Sequence, residues 1–240
     1  MCYSDEARPP DHGLGGPVAT AEDLVLTGAD GNHFAAHLAR PARPQSAGVV
    51  ILPDVRGLHN FYRALARRFA EAGVDAIAID YFGRTAGIGD RSDGFDWQSQ
   101  VPLTTPEGVA ADVRAALDHL RSLGDDRLFT VGFCFGGANS WRQSAAQPGL
   151  TGAIGFYGRP SRVTDVIDDM RAPLLLLVAG ADSTPRQDFV DFDKRLTEVG
   201  LPHRMVIYEG APHSFFDRGF AQWQDACRDA WQQMLSFIAD

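Results

Sequence analysis

The sequence has little cysteine and no long hydrophobic run. Three cysteines occur in 240 residues, at Cys2, Cys134 and Cys227, and such an odd, sparse count provides no disulfide framework. No Cys-x-x-Cys pair or His/Cys cluster has the spacing of a metal site, so we expect neither a metal nor another cofactor. The longest apolar run, residues 173–179, is far too short to span a bilayer.

Basic charge is also scarce. The 22 Lys and Arg residues stand against 31 Asp and Glu residues, which gives a net charge of −9. An acidic balance argues against nucleic acid or an anionic membrane as the main partner, because both would be repelled. Residues 1–17 lack the apolar core of a signal peptide, so we expect a cytoplasmic protein with reduced thiols. The expected partner is a small molecule, bound by a monomer or a small homo-oligomer.

Alternating strand and helix patterns predict the fold class. Residues 1–21 are expected to be an N-terminal tail, and residues 22–240 a single α/β domain. Short apolar runs separated by helical patterns are typical of a mostly parallel, doubly wound sheet with helices on both faces. Residues 81–104 form a long irregular segment, as functional loops often do. The predicted strands are 23–28, 33–39, 48–53, 74–80, 128–133, 153–157, 174–178 and 203–209.

The most informative motif is Gly-Phe-Cys-Phe-Gly-Gly at residues 132–137. It lies between a predicted strand and a predicted helix and matches the G-x-nucleophile-x-G elbow, with Cys134 where serine is usual. A nucleophile on a strained turn needs small neighbours two positions away, which Gly132 and Gly136 provide. The following helix N-terminus favours thiolate over thiol. The alternative is a buried structural cysteine, which most isolated free cysteines are.

Two further reactive side chains follow predicted strands. Asp182 comes directly after the strand at 174–178, and His213 after the strand at 203–209. Alone, Asp182 would be interpreted as a turn or cap residue, and a lone loop histidine as a bystander. Together with Cys134 they give the order nucleophile, acid, base, which is the order of α/β-hydrolases. The sequence therefore predicts a single-domain α/β-hydrolase fold with a Cys134–His213–Asp182 triad. His59 is the nearest rival base.

From about Leu24 to the C-terminal helix, the chain resembles the dienelactone hydrolase (carboxymethylenebutenolidase-like) family. The resemblance implies the triad already named, with the backbone N–H groups of Phe135 and Val55 as oxyanion donors. The motifs that carry it are Gly-Phe-Cys-Phe-Gly-Gly at 132–137, Pro-Asp-Val-Arg-Gly at 53–57, Ala-Ile-Gly-Phe-Tyr-Gly at 153–158, Gly-Ala-Asp at 180–182 and His-Ser-Phe at 213–215.

The chain departs from the family pattern at two positions. A carboxylate, typically glutamate, contacts the resting cysteine in the family, and Asp54 stands at the matching position. Family enzymes acting on dienelactone bind the substrate carboxylate with two arginines. The first resembles Arg84, although a solvated loop arginine is the commoner case. The second position, four residues after His213, holds Asp217, with Arg218 adjacent as a possible support.

The predicted function is a carboxylic ester hydrolase that cleaves small ester or lactone substrates through an acyl-enzyme. A general carboxylesterase on the same scaffold is the first alternative, and a peptidase is a weaker one. A non-catalytic ligand-binding or thiol-sensing protein belongs to a different class, since fold does not imply function. We also expect a preference for anionic substrates through Arg84, weaker than with two arginines.

Overall fold

The computed structural model describes residue 9 and residues 15–92, 94–218 and 221–240. These residues form two compact units, the first ending at Leu128 and the second beginning at Phe129. Most of the predicted tail lies outside the described residues. No helix in the described ranges is long and apolar enough to cross a membrane.

The first unit contains strands β1 to β4, in the spatial order β1-β2-β4-β3. The β3–β4 pair is parallel, whereas β1–β2 and β2–β4 are antiparallel. Helix α1 contacts β2 and β4, and helix α4 contacts β3 and β4. The strands are β1 (Val18–Thr27), β2 (His33–Pro41), β3 (Ala47–Leu52) and β4 (Asp75–Ile79). The helices are α1 (Asn60–Glu71), α2 (Gly83–Ala86), α3 (Trp97–Gln100) and α4 (Pro106–Ser122).

Local sequence signals account for several of these boundaries. The β1–β2 turn contains Gly31 at φ 83°, a conformation that favours glycine. The α4 helix begins at Pro106, and the hydroxyl of Thr105 accepts a hydrogen bond from the Gly108 N–H at 3.1 Å, as the capping pattern predicts. His59 caps α1, because its Nδ1 accepts from the N–H of Phe61 at 3.2 Å.

Two predictions need correction here. Strand β1 begins at Val18 rather than at residue 23, so the end of the predicted tail is paired with β2. The segment 81–104 is also less irregular than predicted, because it contains α2, α3 and a 3-10 turn at Val101–Leu103. Each of these pieces is four residues or shorter, too short for an apolar periodicity to show.

The second unit is a run of parallel strands in the order β5-β6-β7-β8. Its central strands are completely buried, as expected of parallel strands covered on both faces. The carboxyl ends of parallel neighbours lie at one edge, where α/β proteins place their sites. The strands are β5 (Arg127–Phe133), β6 (Gly152–Phe156), β7 (Leu174–Ala179) and β8 (His203–Tyr208). The helices are α5 (Phe135–Ala146), α6 (Arg186–Glu198) and α7 (Gln224–Ala239). The α/β class predicted from the sequence is confirmed.

Candidate active site

Cys134 lies on a strained turn between β5 and α5. Its backbone has φ 57° and ψ −113°, a region that costs a non-glycine residue about 1–3 kcal/mol. The turn is closed so tightly that a Cβ on Gly132 would lie 1.9 Å from the carbonyl oxygen of Gly136. The N–H of Cys134 donates to the Phe156 carbonyl at 3.0 Å. The side chain is half-buried, so the thiol is presented at the edge of the strands.

Asp182 and His213 form a close pair on the loops after β7 and β8. Nδ1 of His213 lies 2.6 Å from Oδ2 of Asp182. The other carboxylate oxygen accepts from the N–H of Thr184 and the hydroxyl of Ser183, both at 3.2 Å. The Asp182 side chain is nearly inaccessible, whereas that of His213 is one-third exposed, at 2% and 34%. Asp182 is therefore fixed in place, and its contact with Nδ1 orients an imidazole that remains accessible.

The electrostatics of the pair favour an imidazolium. Burial alone would lower the pKa of His213, but hydrogen bonds to Asp182 and Cys134, and the charges of both, raise it to about 10. Burial would likewise raise the pKa of Asp182, but the hydrogen bond and charge of His213 hold it below its usual value. Since Nδ1 is engaged with Asp182, Nε2 is the nitrogen available to Cys134. The structure brings the three predicted triad residues together.

The predicted oxyanion donors lie at two different loops. Phe135 is the first residue of α5, and N–H groups in the first turn of a helix have no intrahelical acceptor. Val55 lies in the turn after β3, where the N–H of Gly57 donates to the Asp54 carbonyl at 3.1 Å. Both roles stay predictions.

Asp54 is fully buried and paired with Arg56. Its two carboxylate oxygens each accept from Nε of Arg56 at 3.0 Å, and one also accepts the Arg56 N–H at 2.9 Å. Tyr62 and Tyr81 add hydrogen bonds to the backbone of Asp54. The supporting role of Asp54, at the position of the family glutamate, stays a prediction. The rival base His59 is 1% exposed and caps α1, which is a structural role.

Arg84 is engaged in ion pairs within the first unit. Its Nη2 donates to Oδ1 of Asp112 at 2.8 Å, its Nη1 to Oδ2 of Asp30 at 2.5 Å, and its Nε to the Gly108 carbonyl at 3.0 Å. A substrate carboxylate would have to compete with these acceptors. The predicted role of Arg84 as an anion anchor stays untested, and this geometry speaks against it.

The position where the second family arginine would stand is internal. Asp217 is fully buried, and its Oδ1 accepts from the Tyr157 hydroxyl at 2.8 Å. Arg218 is largely buried, with Nε 3.9 Å from Oδ2 of Asp217, and burial lowers its pKa to about 9. Its predicted support of the site stays a prediction. Sequence reasoning assigned no role to Tyr157, although the motif at 153–158 contains it; its ring lies 4.9 Å from that of His213.

Residues 34–240 match the sequence model of the dienelactone hydrolase family. A protein of Escherichia coli (strain K12) is 29% identical over 247 residues, covering 92% of this chain and 89% of that protein. One of Salmonella typhi is 30% identical over 240 residues, covering 92% and 88%. Both carry the name "Putative carboxymethylenebutenolidase".

Solved structures are similar over nearly the whole chain. A "Putative Dienelactone Hydrolase" from Klebsiella pneumoniae superposes with a TM-score of 0.77 at 27% identity, covering 91% of this chain and 99% of the other. A dienelactone hydrolase-like promiscuous phosphotriesterase from metagenomic libraries also gives 0.77, at 21% identity, covering 93% and 98%. The second likeness concerns the fold alone.

Proposed function

Because this chain belongs to the dienelactone hydrolase family, we propose that it hydrolyses small ester or lactone substrates through Cys134, His213 and Asp182. The reaction would pass through an acyl-enzyme on Cys134. The observation that carries the proposal is the 2.6 Å contact between His213 and Asp182, with the hydrogen bond between His213 and Cys134 on the strained elbow. A nucleophile, a base and a group that orients the base are the components of a triad.

Acylation begins from the ion pair of thiolate and imidazolium. The Cys134 sulfur forms a bond to the carbonyl carbon, and the carbonyl electron pair moves to oxygen. When the tetrahedral intermediate collapses, the C–O bond to the leaving group breaks and the alkoxide takes the Nε2 proton of His213. Asp182 keeps the imidazole in the required tautomer throughout. The raised pKa of His213 supports this scheme, because it supplies the proton at neutral pH.

Deacylation reverses the proton flow. The neutral imidazole accepts a proton from water, the resulting hydroxide attacks the thioester carbonyl, and the C–S bond breaks to restore the thiolate and imidazolium. Backbone N–H groups of Phe135 and Val55 are the proposed donors to the oxyanion in both halves; one such donor typically contributes about 3 kcal/mol to lowering the barrier. Activated leaving groups, such as those of enol lactones, suit a thiolate better than amides do.

The closest competing function is a general carboxylesterase without preference for anionic substrates. The pairing of Arg84 with Asp30 and Asp112 favours it, because these carboxylates already use the predicted anchor. A lactone and ester panel separates the two functions: a carboxylated lactone preferred over its methyl ester supports the dienelactone-like function, and the reverse order supports the carboxylesterase.

The triad is tested with an activated ester. We expect wild type to release p-nitrophenolate from p-nitrophenyl acetate, and an acetyl group to be found on Cys134 by mass spectrometry after acid quenching. Cys134→Ala should lose both signals, whereas Cys227→Ala should keep both. Ester turnover that survives in Cys134→Ala would refute the proposed nucleophile. A wild-type protein that releases no product from any ester or lactone would favour a ligand-binding role.

A further inference from the structure

Tyr157 touches the catalytic base with its ring and a buried acid with its hydroxyl. The Tyr157 and His213 rings lie 4.9 Å apart with 54° between their planes. The Tyr157 hydroxyl donates to Oδ1 of Asp217 at 2.8 Å, and the two side chains are 1% and 0% exposed. Asp217 follows His213 on the same turn, in which the N–H of Arg218 donates to the Ser214 carbonyl at 3.0 Å. One turn therefore holds both ends of the Tyr157 side chain.

The backbone of Tyr157 is also tied to the nucleophile elbow. Tyr157 has φ 38°, a left-handed value that persists only where the surroundings impose it. Its N–H donates to the Leu177 carbonyl at 2.9 Å, and the preceding residue, Phe156, accepts from the N–H of Cys134 at 3.0 Å. A Cβ on Gly158 would lie 2.6 Å from the backbone nitrogen of Ala138 in α5. The same strand end thus supports the nucleophile through its backbone and the base through a side chain.

We propose that Tyr157, held in place by the buried carboxylate of Asp217, is a positioning residue that keeps the His213 imidazole aligned during turnover. This inference rests on the proposed function. In the resting enzyme, His213 is held by Asp182 and by its interaction with Cys134. After acylation the sulfur is part of a neutral thioester and His213 is a neutral imidazole, so the ion pair between them no longer holds the ring. The Asp182 and Tyr157 contacts then hold the ring, so deacylation depends more on Tyr157 than acylation does.

Tyr157→Phe removes the hydroxyl and leaves the ring. With enzyme in excess over p-nitrophenyl acetate, p-nitrophenolate release measures acylation, and decay of the acetylated mass measures deacylation. Losing a hydrogen bond to a charged group should slow deacylation roughly tenfold or more, while acylation and the alkylation of Cys134 by iodoacetamide change much less. A purely structural defect would slow all three steps together. An equal loss in all three therefore overturns the proposal, as does unchanged deacylation.

Tyr208 offers a matched control in the same unit, because its hydroxyl donates to Oδ2 of Asp229 at 2.8 Å. Tyr208→Phe loses the same type of bond and should deacylate like wild type. Asp217→Asn keeps an acceptor and should approach wild type, whereas Asp217→Ala should resemble Tyr157→Phe. The double variant Tyr157→Phe/Asp217→Ala should be no slower than Asp217→Ala, since that single variant already lacks the Tyr157–Asp217 bond.

Failure of the proposed function and failure of the positioning role give different results. If Cys134→Ala retains turnover, the proposed function itself is wrong. If Cys134→Ala is inactive but Asp217→Ala deacylates at the wild-type rate, the triad stands and the positioning role of Tyr157 is wrong. Fully additive effects in the double variant would also contradict the positioning role, because Tyr157 and Asp217 would then act independently.

Discussion

Replacing Arg84 by glutamine tests whether this residue is a structural link or a substrate anchor. The guanidinium joins Asp30, in the β1–β2 turn, to Asp112 on α4. It donates two hydrogen bonds to Asp30, at 2.5 and 3.1 Å, and two to Asp112, at 2.8 and 3.0 Å. The Asp112 side chain is completely inaccessible, while that of Arg84 is 20% exposed. We expect Arg84→Gln to leave a buried carboxylate without its cation.

The cost follows from the burial of Asp112. Removing one partner of a buried ion pair typically costs about 3–5 kcal/mol. The lower end applies here, because Asp112 still accepts a hydrogen bond from the side-chain amide of Asn32 at 3.0 Å. Asp112 can also protonate, since burial already raises its pKa. A loss of about 3 kcal/mol corresponds to a fall of roughly 6–12 °C in Tm for a chain of this size.

The loss should depend on pH in a defined direction. Without Arg84 the pKa of Asp112 in the folded state rises further above its unfolded value. A carboxyl group with a raised folded pKa stabilises the fold at low pH and loses that contribution as pH rises. Arg84→Gln should therefore differ from wild type more at about pH 8 than at about pH 4. Thermal unfolding followed by circular dichroism measures the difference.

The control is Arg186→Gln, because the Arg186–Glu209 pair is also close, at 2.8 Å, but both side chains are more than half exposed. Such surface pairs contribute about 0–1 kcal/mol, so little change in Tm is expected. The ratio of kcat/KM for a carboxylated lactone to that for its methyl ester should be the same in Arg84→Gln and wild type. A variant with unchanged Tm and a collapsed ratio would refute the structural interpretation and restore the anchor.

Three further predictions concern the triad and a buried acid. Iodoacetamide should modify Cys134 and spare Cys227 when adducts are mapped by mass spectrometry, because burial and a nearby carboxylate raise the pKa of Cys227 to about 12; an adduct on Cys227 in the folded protein would contradict this. Asp182→Asn should lower kcat by roughly 10²–10⁴-fold. The alkaline limb of acylation is set by the His213 pKa of about 10, so losing the Asp182 charge should move that limb to lower pH in a pH–rate profile. Asp125→Asn should stabilise the fold by about 1–2 kcal/mol near pH 8 but not near pH 4, because burial first, and then a neighbouring carboxylate, raise the pKa of Asp125 to about 7. Urea unfolding that shows equal effects at both pH values would exclude that account.

Local patterns made the strained turn at Cys134 predictable. The G-x-C-x-G spacing encodes a steric requirement that the structure displays directly, since any side chain on Gly132 would collide with the Gly136 backbone. The Thr105 cap of α4 also depends only on local sequence, because it needs only the residues of one helical turn. The proximity of Asp182 and His213 was predictable because each follows its own apolar strand, and parallel strands bring their carboxyl ends to one edge.

Long-range pairing was not predictable in the same way. Arg84 meets Asp112, 28 positions away, and Tyr157 meets Asp217, 60 positions away. No periodicity or spacing in the sequence relates such residues. The sequence predicted an irregular functional loop around Arg84, whereas Arg84 lies in the short helix α2. Nothing in the sequence showed that carboxylates of the same unit already pair with its guanidinium.

Asp217 shows why substrate preference is harder to predict from the sequence than reaction class. Four positions after His213, an acidic residue in place of an arginine suggests a pocket that repels anions. In the structure this carboxylate is inaccessible and accepts a hydrogen bond from Tyr157, so its partner is an internal side chain that packs against His213. The charge of a residue near a site indicates the charge of the preferred ligand only once the internal partners of that residue are known. The proposed triad could be predicted from short motifs that carry their own geometry, whereas substrate charge depends on which of the nearby cations and carboxylates the fold has already paired.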